Sequence, residues 1–567
     1  MCGIAGFSWE DKALVKRMAD SLEHRGPDDH GYYVDKNVSL GHRRLSIIDL
    51  KTGHQPVYNE KKDVCVIYNG EIYNYKELRE ELKKKKHRFS TNSDTEVIVH
   101  AYEEYGEAFV KKLRGIFALA LWDAKKKKLL LARDESGVEP LYYAQTTKGL
   151  IFGSEIKAIL ESKTITPQMD KQGLECYLSY GSVLGEKTLF KGISKLPPGY
   201  ILVRQNNKDV IKRYWRLTMC PGQKTGKYYE KRLRSLLEES VEMQLISDVP
   251  LGAFLSGGVD SSVIVGLMSR KTDIPIKTFT IGFGEDDDEV EYANIIAEEF
   301  ATDHHERYVK YDEIPKILPK LVWHFDDLTG DSAAFPTYLV SQLARKHVKV
   351  VLTGEGSDEM FAGYNRYKPM SPGIPLVPGF VSRRVFSKHI RVFGGFKEPQ
   401  GQYLEPYYRF DAGKLNQVLM FGFEQILPHQ LLNKTNKATM ACSLEARVPF
   451  LDKEIMDFSG TIPEQQKMNR FQGKLVLKRA TRDIIPKPIL NRKKHGFSPP
   501  MITWFKEGLG DYAQDIFFSK ETQSRDYFDF KSFCEKYPKN NEFKDKRLAA
   551  RFWHLLLLEV WYRRFIS

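Results

Sequence analysis

The sequence predicts two joined units of different class: an α+β unit with layered sheets, then an α/β unit built on a parallel sheet. Up to about residue 200, short β-rich runs alternate with turns, which favours layered β structure. From Tyr228 the pattern changes to helix, strand, helix, which is typical of a mostly parallel sheet with helices on both faces. From Phe423 onward the patterns are mainly helical.

In the first unit, short β-rich apolar runs separated by turn residues predict strands. These strands are Val64 to Tyr68, Phe117 to Trp122, Leu129 to Ala132 and Leu150 to Ser154. The two middle strands should form a hairpin, since Lys125 to Lys128 fits its turn. Asn74 precedes apolar positions at helical spacing and is the expected N-cap of an amphipathic helix.

In the second unit, strands and helices should alternate. The expected order is strand Gly252 to Leu255, helix Ser261 to Arg270, strand Ile276 to Phe283, helix Glu289 to Phe300, helix Thr337 to Arg345 and strand Val348 to Thr353. The polar stretch Cys220 to Gly226 is the expected linker, which places the domains at 2–210 and 228–567. Pro369 to Phe380, rich in proline, should be an irregular loop.

Bulk composition excludes several classes of protein. The 567 residues are 42% hydrophobic, which argues against disorder, and no apolar run is long enough to span a bilayer. Six scattered cysteines without a CxxC pair, and no secretory signal, fit a cytoplasmic protein. The net charge of +13 comes partly from short lysine runs without interleaved aromatic residues, which favours a solvated surface over nucleic-acid binding.

Cys2 is the first candidate for chemistry. If Met1 is removed, the thiol and a free α-amine share one residue, and the amine can activate the nucleophile. The chain continues with CGIAGF, HRGPDDHG at 24–31, GHRRLSIIDL at 41–50, YNGEIYN at 68–74 and SDTE at 93–96. Together these motifs resemble the class II glutamine amidotransferase domain, specifically its asparagine synthetase branch, over about the first 200 residues.

The resemblance implies a layered αββα N-terminal-nucleophile fold and a role for each matching residue. Arg44 would bind the carboxylate of glutamine as a bidentate fork, and Glu71 with Asp94 would hold its ammonium group. Asn69 and Gly70 would stabilise the oxyanion. The full set of expected glutamine-binding residues is Arg44, Leu45, Ser46, Ile47, Ile48, Asn69, Gly70, Glu71 and Asp94.

The segment SDVPLGAFLSGGVDSS at 247–262 is the second candidate site. A strand, a glycine-rich turn and a helix N-terminus form an anion-binding nest, but the Walker A pattern GxxxxGK[ST] is absent. The loop resembles the SGGxDS loop of ATP pyrophosphatases, which cleave ATP between the α and β phosphates. The expected ATP-binding residues are Leu255, Ser256, Gly257, Gly258, Asp260, Ser261, Ile281, Thr353 and Gly354.

Three further motifs follow in the family's order: VVLTGEGSDEMFAGY at 350–364, SLEARVPFLD at 443–452 and NRKKHGFSPP at 491–500. By resemblance, Asp260 and Asp358 would share Mg²⁺, Glu355 would act at the reaction centre, and Lys494 would be the catalytic lysine. Arg447 is the candidate for the acceptor's carboxylate, with an ion pair to Glu445 or Asp452 as the alternative.

Two places depart from the family pattern. Glu135 and Glu139 stand where the family pattern more often has basic residues. A loop change without catalytic effect is the simpler interpretation, and a change at the surface between the two domains is the alternative. Asp326-Asp327-Leu328 replaces the more common Asp-Glu-Pro near the expected acceptor site, where these acids would serve the ammonium group.

The function implied is glutamine-dependent asparagine synthesis. Cys2 would release ammonia from glutamine, the second unit would convert aspartate to its acyl-adenylate with ATP and Mg²⁺, and ammonia would attack that adenylate. Two alternatives stay open: the same chemistry on a sugar acid or peptide, and a catalytically dead nitrogen-sensing or scaffold protein. Neither nucleic acid nor membrane is expected as a partner, and a homodimer remains open.

Overall fold

The computed structural model describes residues 1–284, 289–372, 379–393, 403–492 and 499–567. The strands of its N-terminal part are β1 (Gly3–Phe7), β2 (Asp29–Val34), β3 (Ser39–Arg44), β4 (Val57–Tyr58), β5 (Val64–Ile72), β6 (Gly115–Asp123), β7 (Lys128–Arg133), β8 (Tyr142–Thr146), β9 (Gly149–Gly153), β10 (Ser194–Lys195), β11 (Tyr200–Gln205) and β12 (Lys208–Arg213). They form two six-stranded sheets, in the orders β10-β8-β9-β1-β3-β2 and β12-β11-β7-β6-β5-β4.

The two sheets lie between two layers of helices. These helices are α1 (Lys12–Asp20), α2 (Tyr75–Lys84), α3 (Glu96–Tyr105), α4 (Ile156–Leu160) and α5 (Lys171–Tyr180). Side chains alternate along a strand, so Ile67 and Ile4 pack between the sheets. Their neighbours Val66 and Ala5 face outward, Val66 into the cluster that holds α2 and α3, and Ala5 into the one that holds α1. The predicted layered αββα arrangement is confirmed.

The predicted hairpin is present as β6 and β7, with Asp123 opposite Lys128. Asn74 is the N-cap residue of α2, as predicted, but its side chain makes no cap bond to the helix. Instead its amide donates to the Lys112 carbonyl at 2.9 Å and accepts from the Arg114 N–H at 3.0 Å. Asn74 therefore stabilises the backbone just before β6.

The C-terminal sheet contains β13 (Leu251–Phe254), β14 (Lys277–Gly282), β15 (Asp303–Tyr308), β16 (Val350–Leu352) and β17 (Glu445–Arg447). All four pairings are parallel, in the order β15-β14-β13-β16-β17. The chain therefore reverses its direction of winding between β13 and β16. Ligands of open parallel sheets bind at the carboxyl ends of the strands beside such a reversal.

Helices surround this sheet and continue beyond it. They are α6 (Gly226–Gln244), α7 (Val259–Ser269), α8 (Glu289–Glu299), α9 (Glu313–His324), α10 (Ala334–Arg345), α11 (Ser357–Phe361), α12 (Gly379–Ile390), α13 (Glu405–Tyr408), α14 (Lys414–Phe421), α15 (Leu432–Met440), α16 (Lys453–Thr461), α17 (Glu464–Lys467), α18 (Leu475–Ala480), α19 (Lys487–Asn491), α20 (Met501–Trp504), α21 (Gly510–Phe517), α22 (Lys520–Gln523), α23 (Phe530–Cys534) and α24 (Lys546–Phe565). The predicted parallel sheet and helical C-terminal part are both confirmed.

The predicted linker has no regular structure, but it is anchored. The Cys220 N–H donates to the Gly460 carbonyl at 3.0 Å, and the Gly222 N–H donates to the Thr461 carbonyl at 2.8 Å. Residues 373–378, half of the predicted irregular loop from Pro369 to Phe380, lie outside the described residues. All six cysteines are free thiols, and no helix of the described ranges is long and apolar enough to cross a membrane.

Candidate active sites

Cys2 lies just before β1 and is buried. Its backbone N–H donates to Asn69 Oδ1 at 2.6 Å, and its carbonyl accepts from Arg25 Nε at 2.9 Å. The sulfur lies 4.0 Å from the Leu45 carbonyl oxygen. Burial raises the pKa of this thiol, so an adjacent base is needed to produce the thiolate.

A small cavity opens beside Cys2, and most of the predicted glutamine-binding residues line it. Those in the lining are Arg44, Leu45, Ile47, Ile48, Gly70, Glu71 and Asp94. Asn69 is outside the lining but is bonded to Cys2, as described above. Ser46 is also outside it, and its N–H donates to Asp28 Oδ2 at 2.8 Å.

Arg44 is held in the cavity wall by the loop that follows it. Its Nη2 donates to the carbonyls of Ile48, at 3.0 Å, and Asp49, at 2.7 Å. A Cβ on Gly53 would lie 2.3 Å from the same nitrogen, so the loop also needs a glycine where it passes the guanidinium. The arginine is therefore fixed before any ligand arrives.

Gly70 occupies a backbone conformation that other residues avoid. Its φ is +151°, and a Cβ there would lie 2.0 Å from the Ile116 carbonyl oxygen. On the same strand, burial raises the pKa of Glu71 well above its ordinary value. Burial also raises the pKa of Asp94, whose carboxylate accepts from the Ile72 N–H at 3.0 Å. A buried acidic pair of this kind suits an ammonium ligand, since buried charges need partners.

Glu139 contacts the predicted oxyanion residue directly. Asn69 Nδ2 donates to Glu139 Oε2 at 2.5 Å, and the same carboxylate pairs with Arg25 at 3.3 Å. Asn436 of α15 donates to it from the other unit at 3.2 Å. Burial raises the pKa of Glu139 to about 7. For Glu139 the structure therefore favours the alternative of a change at the contact between the two units.

Strand β17 brings two charged residues of the second unit to the Cys2 cavity. The Met1 ammonium pairs with Glu445 at 2.8 Å, and Arg447 pairs with Glu71 at 3.1 Å and with Glu445 at 2.7 Å. Arg447 Nη1 also donates to two backbone carbonyls, both at 2.7 Å. Arg447 is thus fully buried, its guanidinium is occupied by these bonds, and it does not line the second cavity. This geometry favours the ion-pair alternative over an acceptor-binding role.

The second cavity, of about 410 Å³, lies at the carboxyl ends of β13, β14 and β16. Of the predicted ATP-binding residues, Leu255, Ser256, Asp260, Ser261, Ile281, Thr353 and Gly354 line it, together with Asp358 and Glu355. A volume of several hundred Å³ is typical of pockets for ligands of nucleotide size.

The glycine-rich turn is shaped by close backbone packing. Gly257 has a φ of +61°, and a Cβ there would lie 2.4 Å from the Cβ of Tyr292. The Ser256 N–H donates to Ser261 Oγ at 3.3 Å, which closes the turn. Helix α7 then begins at Val259 with its N–H groups directed at this end of the cavity, the arrangement that binds phosphate.

Lys474 joins the two predicted metal ligands. Its ammonium lies 2.5 Å from Asp260 Oδ2 and 2.6 Å from Asp358 Oδ1. Sequence analysis missed this residue and chose Lys494, which lies outside the described residues. In the structure Lys474 is the N-cap residue of α18, where the helix dipole disfavours a cation, and it has a φ of +56°.

Other charged groups of the cavity surround Glu355. Lys434 and Thr435 of α15 donate to Glu355 Oε1 at 3.2 and 2.8 Å. Asp331 and Arg366 also line the cavity. These cations and acids were not identified from the sequence.

The acids expected to meet an acceptor's ammonium group lie elsewhere. Asp326 is buried against Lys437 at 2.6 Å, and Asp327 accepts from the Tyr142 hydroxyl at 3.1 Å. Both belong to the contact between the units and do not line the second cavity. The expectation that Asp326 and Asp327 serve the acceptor is therefore not supported.

Two family models match this chain. The glutamine amidotransferase domain model matches residues 1–215, and the asparagine synthase model matches residues 232–563. The first range contains the Cys2 cavity, apart from Glu445, and the second contains the phosphate loop with Asp260, Asp358 and Lys474.

Curated relatives match across nearly the whole chain. The chain is 34% identical to glutamine-hydrolyzing asparagine synthetase 1 of Bacillus subtilis (strain 168), over 99% of this chain and 96% of that protein. It is 32% identical to synthetase 3 of the same organism, over 92% and 91%. A putative asparagine synthetase of Mycobacterium tuberculosis (strain ATCC 25618 / H37Rv) is 33% identical, over 89% and 87%. The chain therefore belongs to the asparagine synthase family, as a glutamine-hydrolysing ligase that uses ATP.

Proposed function

We propose that this protein makes asparagine, with ammonia released from glutamine at Cys2 and aspartate activated by ATP at the second cavity. The observation that carries the proposal is the presence of both sites on one chain. A buried cysteine faces a fixed arginine and an acidic pair, and a phosphate-binding turn faces two carboxylates and a lysine. The proposed boundary between the two parts is the anchored linker, with domains at 2–210 and 228–567.

At the first site, the active protein begins at Cys2. Its nitrogen already lies 2.6 Å from Asn69 Oδ1, so the free amine would be oriented there to accept the thiol proton. Removal of Met1 also frees Glu445 and enlarges the cavity that Met1 now lines. Mass spectrometry of active protein should show Cys2 as the first residue, and retained Met1 in fully active protein would contradict this mechanism.

The remaining residues of the first site divide between binding and catalysis. Arg44 binds the α-carboxylate of glutamine, and Glu71 with Asp94 binds its ammonium group. The thiolate attacks the side-chain amide, and Asn69 Nδ2 with the Gly70 N–H stabilises the oxyanion. One such donor typically contributes about 2.7–4 kcal/mol to the transition state. Leu45, Ser46, Ile47 and Ile48 supply the loop that encloses the substrate.

At the second site, the Ser256–Ser261 turn binds the β and γ phosphates of ATP, and Leu255 with Ile281 borders the adenine. Asp260 and Asp358 supply carboxylate oxygens at the same end of the cavity, and such oxygens are ligands that Mg²⁺ prefers. When bound, the ion would neutralise charge on the phosphates. Lys474 then turns from the carboxylates to the phosphate oxygens, and it replaces Lys494 as our candidate for the catalytic lysine.

The acceptor binds beside Glu355, where the cavity offers charges of both signs. Arg366 and Lys434 are positioned for the two carboxylates of aspartate, and Asp331 is positioned for its ammonium group. A free amino acid with a second carboxylate needs such a set, because each buried charge requires a partner. This assignment replaces Arg447 as the acceptor residue.

The experiment that tests the function is a panel of acids with saturating ATP and ammonium salt, read as AMP and pyrophosphate. We expect aspartate to be far more active than glutamate, because one methylene displaces the reacting carboxylate, and misplacement of ~1 Å can cost about 100-fold in rate. Activity with a sugar acid or peptide but not with aspartate would contradict asparagine synthesis and leave the same chemistry on another acceptor.

A further inference from the structure

A cluster of imidazole and carboxylate groups lies away from both active sites, on the outer helical layer of the N-terminal unit. Its members are Glu60 in the turn before β5, His87 after α2, and His100 and Glu103 in α3. Four atoms, one from each side chain, lie within 4.8 Å of one another. None of these four residues lines the glutamine cavity, so the family's reaction makes no use of this position.

Three of the four distances within the cluster are longer than a hydrogen bond, and the shortest, from His100 Nδ1 to Glu103 Oε2, is a long and weak one. His87 Nδ1 lies 3.7 Å from Glu60 Oε1 and 3.6 Å from Glu103 Oε2. His100 Nδ1 lies 3.6 Å from Glu60 Oε2 and 3.4 Å from Glu103 Oε2. Good N–H···O bonds are ~2.7–3.2 Å long, and one N–H cannot serve two carboxylates well at these separations.

The same distances suit four ligands around one ion. Nitrogen and oxygen ligands lie ~2.0–2.2 Å from Zn²⁺, so the edges of a tetrahedral site are about 3.3–3.6 Å. The four observed nitrogen-to-oxygen distances are 3.4–3.7 Å when both oxygens of Glu60 are counted. With one ligand atom from each residue the separations reach up to 4.8 Å, so the side chains would draw together by about 1 Å around the ion. Imidazole nitrogen favours Zn²⁺ over Mg²⁺ and Ca²⁺, which prefer oxygen ligands alone.

Outer groups contact each ligand. His87 Nε2 lies 3.0 Å from Glu104, within hydrogen-bond distance, whereas His100 Nε2 lies 3.7 Å from Glu96, close enough for attraction between charges but too far for a hydrogen bond. Glu60 Oε1 accepts the Arg88 N–H at 2.9 Å, and Asn59 Nδ2 donates to Glu103 Oε1 at 2.9 Å. A carboxylate behind each ligating histidine is the usual outer shell of a zinc site, where it fixes the ring and its tautomer.

We propose that Glu60, His87, His100 and Glu103 form a zinc site that ties the β4–β5 turn, the end of α2 and the middle of α3 together. His100 is fully buried in α3, so the ion would join a core helix to two surface segments. The role is structural, since all four protein ligands are present and no position need be left for a substrate.

The test is Zn²⁺ binding by tag-free, full-length protein after removal of metals with a chelator. Titration against a competing chromophoric chelator, with excess Mg²⁺ to occupy oxygen sites such as Asp260 and Asp358, should give one Zn²⁺ per chain. The equivalent should be lost in His87→Ala and in Glu103→Gln, and Glu104→Gln should bind ~10–100-fold more weakly. His54→Ala is the matched control, because His54 also pairs with a carboxylate but is exposed.

Two further measurements separate this site from other ligands and from misfolding. Cys2→Ala should bind Zn²⁺ as the parent does, which excludes the thiol as the ligand. Co²⁺ added to the unsubstituted protein should give the intense visible absorption of a tetrahedral site, a result that needs no variant to fold. Absence of a stoichiometric Zn²⁺, unchanged binding in His87→Ala, or weak octahedral Co²⁺ absorption would each overturn the proposal.

Discussion

Lys474→Gln should abolish most of the synthetase activity and leave the glutaminase intact. The lysine is 4% exposed and lies within 2.6 Å of both Asp260 and Asp358, so it is a cation held at the phosphate end of the cavity. A transition-state charge partner of this kind is typically worth ~2.7–4 kcal/mol, or about 10²–10³ in kcat. The rate of glutamine hydrolysis should stay close to that of the parent, since Cys2 lies in the other unit.

The assay is pyrophosphate release with aspartate, ATP and ammonium salt, beside glutamate release from glutamine. Lys467→Gln is the control for loss of a buried lysine, since Lys467 bonds to Asn416, whereas Lys474 pairs with Asp260 and Asp358. A Lys474→Gln variant that keeps kcat within about threefold of the parent would refute the reasoning. An equal loss in Lys467→Gln would also refute it, because destabilisation alone would then explain the effect.

The thermal stability of Lys474→Gln provides an independent test of the same site. Removing one partner of a buried ion pair costs about 3–5 kcal/mol, and here two carboxylates would be left facing each other. A divalent cation can replace the lost charge. Mg²⁺ should therefore raise the Tm of Lys474→Gln by more than it raises the Tm of the parent, and equal shifts would argue against a shared metal position at Asp260 and Asp358.

Three other predictions concern the separate sites and their contact. Cys2→Ala should remove glutamine-dependent synthesis and spare synthesis from ammonium salt; equal loss with both nitrogen sources would contradict two separable sites. Asp260→Asn or Asp358→Asn should stop AMP formation while glutaminase activity persists, and ADP with phosphate as products would contradict the pyrophosphatase assignment. Burial raises the pKa of Glu139 from 4.5 to about 7, so its contribution to stability is present below pH 4.5 and is lost as pH rises to about 7. Glu139→Gln should flatten that part of the pH profile, by up to ~3 kcal/mol in the free energy of unfolding measured with denaturant, and an unchanged profile would contradict it.

The parts of the fold that sequence could predict are those in which local pattern and tertiary structure agree. The β6–β7 hairpin follows from alternating apolar runs and a lysine-rich turn, and β13 with α7 follows from an apolar run, two glycines and a helix. Strands β15 and β17 were not predicted, because there the local sequence pattern does not agree with the tertiary structure. Both are polar edge strands, DHHERY and EAR, and their place is fixed by pairing with a buried neighbour.

The candidate sites divide in the same way. Residues of continuous motifs, such as Cys2, Arg44 and Asp260, could be identified from order and spacing. Lys474 could not, because its role depends on a contact across more than a hundred residues of chain with Asp358. The zinc cluster is also invisible in the sequence, since its four ligands come from three segments and resemble ordinary surface charges until folding brings them together.

Helix α15 contacts side chains of both sites. Lys434 and Thr435 bond to Glu355 in the second cavity, and Asn436, the next residue, bonds to Glu139, which holds Asn69 beside Cys2. Three consecutive residues of one buried helix thus contact the reaction centres of both units. Glu139 is therefore part of a continuous chain of hydrogen bonds and packed backbone that joins Glu355 to Asn69 through α15.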